Sequence, residues 1–209
     1  MADFFLKAND KTIITIEYIH HSHFLEGFRK RLKFRVKGDG HLLIREAKKN
    51  ELYLLKKQRL SSYKTYEEEL SLKHWEMLKA NVSSDNDQQP GVEIFIAEMN
   101  GQIAGSVVLF PAESKAYEWK SETIAYPEIR LLAVSPEFRS QGVGKALVEH
   151  CIDICKIRKQ KMIGLHTGSF MKHAIDLYEK MGFERVASLD FIPLDDGIVV
   201  KAFRLDIQT

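Results

Sequence analysis

Cysteine is almost missing from this chain. Two residues of 209, Cys151 and Cys155, lie four apart on what reads as one helix face. A disulfide framework is excluded on that count. No early apolar run is long enough for a signal peptide or a membrane span. The chain is therefore expected in the cytoplasm, with no membrane partner. Internal repeats and low-complexity segments are absent too. The net charge is only +2 at pH 7 and decides nothing by itself. Its distribution is uneven: residues 1–64 hold 15 Lys and Arg against seven Asp and Glu, and residues 65–100 hold two against eight. With 44% apolar and 29% charged residues, the chain has the composition of a soluble domain with a substantial core.

The stretch that stands out runs from Glu128 to Ile154. Ile129 to Val134 is an apolar run with the length and branching of a buried strand. Ser135-Pro136 stops it. A turn follows, Arg139-Ser140-Gln141-Gly142-Val143-Gly144, and then Val143, Ala146, Leu147, Cys151 and Ile154 recur at helical spacing. The first N–H groups of a helix have no partner within it, and glycines admit an anion close to them. Two common phosphate loops fail on spacing. A P-loop needs a glycine where Arg139 stands and a hydroxyl where Ala146 stands; a dinucleotide fingerprint needs a glycine where Leu147 stands.

The remaining pattern, Arg139-x-x-Gly142-x-Gly144, resembles motif A of the GNAT superfamily of N-acetyltransferases. Ala174 to Phe183, closing in Tyr178-x-x-x-Gly182-Phe183, is similar to the family's motif B, and residues 129–136 look like its fourth strand. By element order the resemblance covers residues 41–205. It implies an α/β fold: a mixed, mostly antiparallel, seven-stranded splayed sheet with helices on both faces. It also implies acetyl-CoA as cosubstrate, with no metal. The backbone of Leu132, Ala133 and Val134 would align the pantetheine arm. Ser140, Gln141, Gly142, Val143, Gly144 and Lys145 would hold the pyrophosphate, with Arg139 beside it. Tyr178 would serve the departing thiolate, and Glu128 would act as base toward the amine.

Elementary energetics constrain both catalytic assignments. A tyrosine of pKa about 10 is a weaker acid than a thiol of about 8.5, so full proton transfer is uphill by roughly 2 kcal/mol and hydrogen bonding is the better role. A lysine-like amine of pKa about 10.4 is neutral about once in 2,500 molecules at pH 7, a deficit near 4.6 kcal/mol, so a proton acceptor helps. Many relatives use a water chain in its place. The motif B helix departs from the family at Met171, where relatives often carry an asparagine that touches the pantetheine. His166, Thr167 and Ser169 are further polar candidates at the end of the preceding strand.

Elsewhere the pattern predicts two domains' worth of elements: an N-terminal β appendage over residues 1–40, as a strand or hairpin, and an acetyltransferase domain over 41–209. Strands are expected at 41–45, 92–98, 102–110, 129–134, 161–167, 183–189 and 199–205. Helices are expected at 47–60, 66–80 (started by Thr65 with Glu68 as a capping box), 143–154 and 170–181. The segment from Pro111 to Pro127, with Tyr117, Trp119 and Tyr126, is a binding loop or a self-packed excursion. The His20-His21-x-His23 cluster reads as solvated rather than metal-binding. The basic run Arg29 to Lys37 reads as a solvated or subunit-contacting hairpin, which leaves a homodimer open and disfavours nucleic acid. The expected activity is acetyl transfer to a primary amine of a small molecule or peptide, by direct attack in a ternary complex. The rival is a non-catalytic acyl-CoA sensor on the same fold.

Overall fold

The computed structural model describes residues 4–8, 12–17, 31–35, 41–114 and 124–207. Among these described residues ten strands form one sheet: β1 (Phe4–Ala8), β2 (Thr12–Glu17), β3 (Arg31–Arg35), β4 (His41–Glu46), β5 (Glu93–Met99), β6 (Gln102–Phe110), β7 (Glu128–Val134), β8 (Met162–Gly168), β9 (Glu184–Arg185) and β10 (Val200–Asp206). Their order is β1-β2-β3-β4-β5-β6-β7-β8-β10-β9. The seven strands from β4 onward match the expected count, and every neighbour pair is antiparallel except β7 with β8. Three strands, more than a hairpin, precede them, and β3 pairs with β4.

Among the described residues four α-helices cover the sheet: α1 (Leu52–Tyr63), α2 (Leu72–Ser83), α3 (Val143–Ile157) and α4 (Lys172–Lys180). The period-2 alternation of β5 assigns the faces. Phe95, Ala97 and Met99 join Val143, Leu147 and Cys151 of α3, with Ala174 and Ile175 of α4, in the larger core cluster. Ile94 and Ile96 join Leu55 of α1 on the other face. Both cysteines pack in the larger cluster, and burial pushes the Cys155 thiol up to about 11. The close approach at Gly105 leaves no room for a side chain: a Cβ there would lie 2.7 Å from the Ala133 carbonyl of β7 and 3.2 Å and 3.3 Å from Val143 and Leu147 of α3.

Local chemistry explains the sharp turns and two departures from expectation. Asn100 and Gly101 both take positive φ (52° and 76°), the geometry of a tight hairpin turn between β5 and β6. The second helix does not begin at Thr65. Residues 64–69 form a 3-10 extension of α1, and Ser71 caps α2 by accepting the His74 N–H at 3.2 Å. Thr65 and Glu68 thus lie inside a continuing turn. The expected strand 183–189 shortens to Glu184–Arg185, because a 3-10 turn at Ala187–Leu189 bends the chain away. Asp190 then takes over the ladder, accepting the Ala202 N–H at 2.9 Å while it holds the Arg185 guanidinium.

Beneath β6 lies a buried ion pair. Arg59 of α1 is fully buried against the Asp87 carboxylate and donates Nε–H to Ser106 Oγ at 3.3 Å. Removing one member of such a pair strands the other charge, which costs about 3–5 kcal/mol. Asp87→Ala is therefore expected to lower the urea-unfolding free energy by about that amount. A loss under 1 kcal/mol would show that Arg59 finds water.

Candidate active site

Parallel strands β7 and β8 pair at only two positions, Glu128 with Gly164 and Ile129 with Leu165. Each continues along its other neighbour, β7 with β6 and β8 with β10. Beyond residue 129 the two strands therefore diverge into a fork. A bulge in β7 marks the divergence: the register shifts between Ser106 and Val108, and Leu131 takes φ 51°. Positive φ at a branched residue is strained and persists only where its surroundings enforce it.

Those surroundings come from α1 and the turn after β7. Tyr63 donates its hydroxyl to the Leu132 carbonyl at 3.2 Å, and the Gln58 amide reaches the Ala133 carbonyl at 3.4 Å and Ser135 Oγ at 3.1 Å. Arg139 donates to the Val134 carbonyl at 3.3 Å and the Ser62 carbonyl at 2.8 Å. Three successive carbonyls of β7 are thus held by side chains.

A cleft of about 490 Å³ fills the fork. Its floor is Ile129 to Val134, and one wall is Tyr63 and Tyr66. The far wall is His166, Thr167, Met171, Leu177 and Tyr178, and its mouth is Arg139, Ser140, Gly142, Val143, Gly144 and Lys145. At the mouth α3 begins without a side-chain cap. Gly142 is its N-cap at φ 85°, and Ser140 also has positive φ (59°). The first intrahelical bond runs from Ala146 N–H to the Gly142 carbonyl, leaving the earlier amides of a 15-residue helix for an anion. A pyrophosphate fits this cradle.

The model of the Acetyltransferase (GNAT) family matches residues 50–183, well over half of the chain. The chain belongs to the GNAT family. Among solved GNAT structures, one acetyltransferase from Staphylococcus aureus Mu50 superposes with TM-score 0.58 at 18% identity, covering 80% of this chain and 99% of that one. The Escherichia coli ribosomal-protein-S18-alanine N-acetyltransferase superposes with TM-score 0.55 at 20% identity, covering 80% and 95%. These likenesses show the GNAT fold. In sequence, an uncharacterized N-acetyltransferase from Methanocaldococcus jannaschii is 34% identical over 92 residues, 43% of this chain and 38% of that protein. The [ribosomal protein bS18]-alanine N-acetyltransferase of Escherichia coli K12 is 37% identical over 67 residues, 32% and 45%. The chain thus spans about two fifths of the length of these curated relatives.

Within this GNAT site most of the anticipated residues converge. Leu132, Ala133, Val134, Ser140, Gly142, Val143, Gly144, Lys145 and Tyr178 all line the cleft. Arg139 does too, but its guanidinium is engaged by backbone carbonyls rather than extended toward the anion cradle. Gln141 points away and donates to the Glu137 carbonyl at 2.9 Å. Glu128 is 2% exposed and does not line the cleft. One carboxylate oxygen is ion-paired with Arg130, whose guanidinium lies 4.1 Å from the Phe110 ring centre. The other meets His166 Nδ1. Sequence reasoning missed Tyr63 and Tyr66 because it ended the first helix at 60, and missed Gln58 because its partners on β6 and β7 are distant in sequence. Among the described residues no cluster of three His, Cys, Asp or Glu could hold a metal, and no helix is long and apolar enough to cross a membrane.

Tyr178 is buried against Phe183 and Phe203. Burial first, then the nearby Tyr63, Tyr66 and Cys151, pushes its hydroxyl far above the ordinary value of about 10. Burial does the same to Tyr63 and, less strongly, to Tyr66. The protonated, hydrogen-donating form is thus the one the site enforces. A raised native pKa favours the folded state only while the proton stays bound. Stability from these three groups is complete below about pH 10 and lost as the pH climbs through their raised native values. Denaturant titrations from pH 9 to 12 should show falling stability, and absorbance near 295 nm should show tyrosines that ionise late. Y178F should remove one of them. Ionisation of every tyrosine near pH 10 in the folded protein would contradict this.

Proposed function

We propose that the chain transfers an acetyl group from acetyl-CoA to a primary amine, which attacks the thioester directly in a ternary complex. The fork between β7 and β8 carries this reading: a slot between two strands, ending under an uncapped helix N-terminus. The amides from Gly142 to Lys145 would bind the pyrophosphate, the helix N-terminus favouring the anion by about 0.3–1 kcal/mol when exposed and more when partly buried. Lys145 lies beside them, paired only loosely with Glu149 at 3.4 Å. The pantetheine would run along Leu132 to Val134 as a pseudo-strand. The bulged backbone around Leu132 would stabilise charge growing on the thioester oxygen. The Tyr178 hydroxyl, kept protonated, would hydrogen-bond the sulfur as it departs. Arg139 acts in support by fixing the end of β7.

The acceptor would enter from the α1 face, between the 3-10 turn at Lys64–Glu69 and the segment from Phe191 to Gly197. That segment is tied to α2 through His74 Nδ1 and Asp196 Oδ2, 2.7 Å apart. Among the described residues none that lines the cleft is acidic, which speaks against a polycationic acceptor. The alanine acetyltransferases among the relatives make the α-amine of an alanine-initiated peptide the first acceptor to try.

Calorimetry with coenzyme A, and thiol release from acetyl-CoA with an alanine-initiated peptide, lysine and spermidine, test the reading. Binding and amine-dependent thiol release are expected, with the peptide ahead of spermidine. No binding of coenzyme A would sink the donor assignment, and binding without thiol release from a wide amine panel would turn the reading to a sensor. In addition, Y178F should lower kcat by about 10²-fold, the typical cost of one transition-state hydrogen bond, with acetyl-CoA affinity nearly unchanged. Wild-type turnover by folded Y178F would remove the hydroxyl from the mechanism.

A further inference from the structure

The 3-10 extension of α1 sets two tyrosines side by side over the cleft. A 3-10 turn has about three residues per turn, so residues three apart eclipse. Tyr63 and Tyr66 stand at that spacing where Lys64–Glu69 begins, and both line the cleft. An α-helical continuation would turn Tyr66 about 60° away from Tyr63. The two rings meet edge-on with centres 6.4 Å apart. Tyr66 also meets the Phe170 ring edge-on at 5.2 Å. Phe170 is itself seated: a Cβ on Gly168 would collide with its ring, and His74 of α2 packs edge-on against it at 6.1 Å. Such pairs hold a ring in one orientation. Tyr66 thus ties the α1 side of the cleft to the loop between β8 and α4.

The two hydroxyls differ in what they have left to give. Tyr63 donates to the Leu132 carbonyl. Among the described residues the Tyr66 hydroxyl has no hydrogen-bond partner. It lies within electrostatic reach of Arg139 at the mouth and of Tyr178 on the far wall. Other polar groups of the cleft are committed. Arg139 holds the Val134 and Ser62 carbonyls, Thr167 donates to the Met171 sulfur at 3.4 Å, and Ser62 Oγ donates to the Gln58 carbonyl at 2.9 Å. Burial raises the Tyr66 phenol above its ordinary value, so it meets a ligand as a donor. A carbonyl that gives up its water on entering the slot needs such a donor, because leaving it unpaired is costly.

We infer that Tyr66 is a further donor-binding residue, its hydroxyl hydrogen-bonding an amide carbonyl of the pantetheine arm between the anion cradle and the Tyr178 hydroxyl. The inference rests on the acetyl-CoA reading above and divides the work of two phenols. Tyr178 serves the sulfur, whose charge grows only as the thioester breaks. Tyr66 serves the arm, which is the same before and during the reaction. An interaction made equally in both states tightens binding and leaves the chemical step alone.

The test compares wild type with Tyr66→Phe, which keeps the ring and its edge-on contacts and removes the hydroxyl. Calorimetry measures coenzyme A and, separately, the coenzyme's nucleotide alone, which carries the pyrophosphate and no arm. Y66F should bind coenzyme A about three- to tenfold more weakly, the effect of one lost hydrogen bond, and bind the nucleotide as wild type does. In thiol release with the best amine from the panel above, the KM for acetyl-CoA should rise by the same factor, with kcat and the amine KM within about twofold of wild type. Coenzyme A binding by Y66F within about twofold of wild type overturns the assignment. An equal loss for the nucleotide overturns it too, since the whole cleft would then have shifted. A rise confined to the amine KM overturns it by moving Tyr66 to the acceptor. All three leave the donor reading standing, whereas failure of the wild-type chain to bind coenzyme A would overturn that reading itself.

Discussion

Everything in this structure that bears on chemistry depends on two strands that stop pairing. β7 and β8 share only the Glu128–Gly164 and Ile129–Leu165 positions. Strand edges in a protein interior carry unpaired N–H and C=O groups, and an unpaired buried group costs free energy comparable to a lost hydrogen bond. A fork in mid-sheet is therefore a position that folding alone disfavours. Either the surrounding chain satisfies those groups or a ligand does. Here the chain satisfies the carbonyls of Leu132, Ala133 and Val134 with Tyr63, Gln58 and Arg139. The slot between the two strands is the cleft lined by Ile129 to Val134 on one side and His166 and Thr167 on the other.

This division explains why the α1 side of the sheet is so polar. Gln58 receives a hydrogen bond from Ser106 and donates to Ser62 and Ser135, while Arg59 joins through Ser106 and ends on Asp87. A purely apolar α1 would pack on Ile94, Ile96, Val108 and Phe110 at least as well. It could not hold the bulge, because Leu131 sits at a strained φ that relaxes unless its neighbours fix it. The buried charge pair is weak evidence for stability. Its more specific consequence is to fix the angle of α1, and so the reach of Tyr63 and Gln58.

How much of this was legible in the sequence follows from which interactions are local. The strand–turn–helix from Glu128 to Ile157 was, because its signals lie within a few residues of one another: an apolar run, Ser135-Pro136, Gly142, Gly144 and a 3.6-residue apolar period. The same holds for Tyr178 with Gly182. The Asn100-Gly101 turn fixed one hairpin for the same reason. The Thr65 capping box failed because a cap is decided by which serine or threonine first takes extended backbone, and Ser71 does so six residues later. The 183–189 strand failed because a side chain twelve residues from its partner, Asp190 on the Ala202 N–H, replaces the ladder. Arg139 looked free for phosphate, but its partners are the carbonyls of Ser62, 77 residues away, and Val134. Tyr117 and Trp119 of the aromatic loop, the histidines at 20–23 and the two ends of the basic run, residues 29–30 and 36–37, lie outside the described residues.

Glu128 shows the limit most clearly. Its place at the head of a strand suggested a base, and its partners in the fold, Arg130 and His166, lay outside that reading. A carboxylate with one oxygen on Arg130 and the other on an imidazole has its strongest acceptor positions filled before any substrate arrives. It is also 2% exposed, so an amine could reach it only by displacing one of those partners. The imidazole, by contrast, lines the cleft. The parallel register of β7 and β8 sets Glu128 opposite Gly164, two residues before His166. Because Gly164 lacks a side chain and His166 is the next residue on that face, the two side chains meet diagonally where the fork begins.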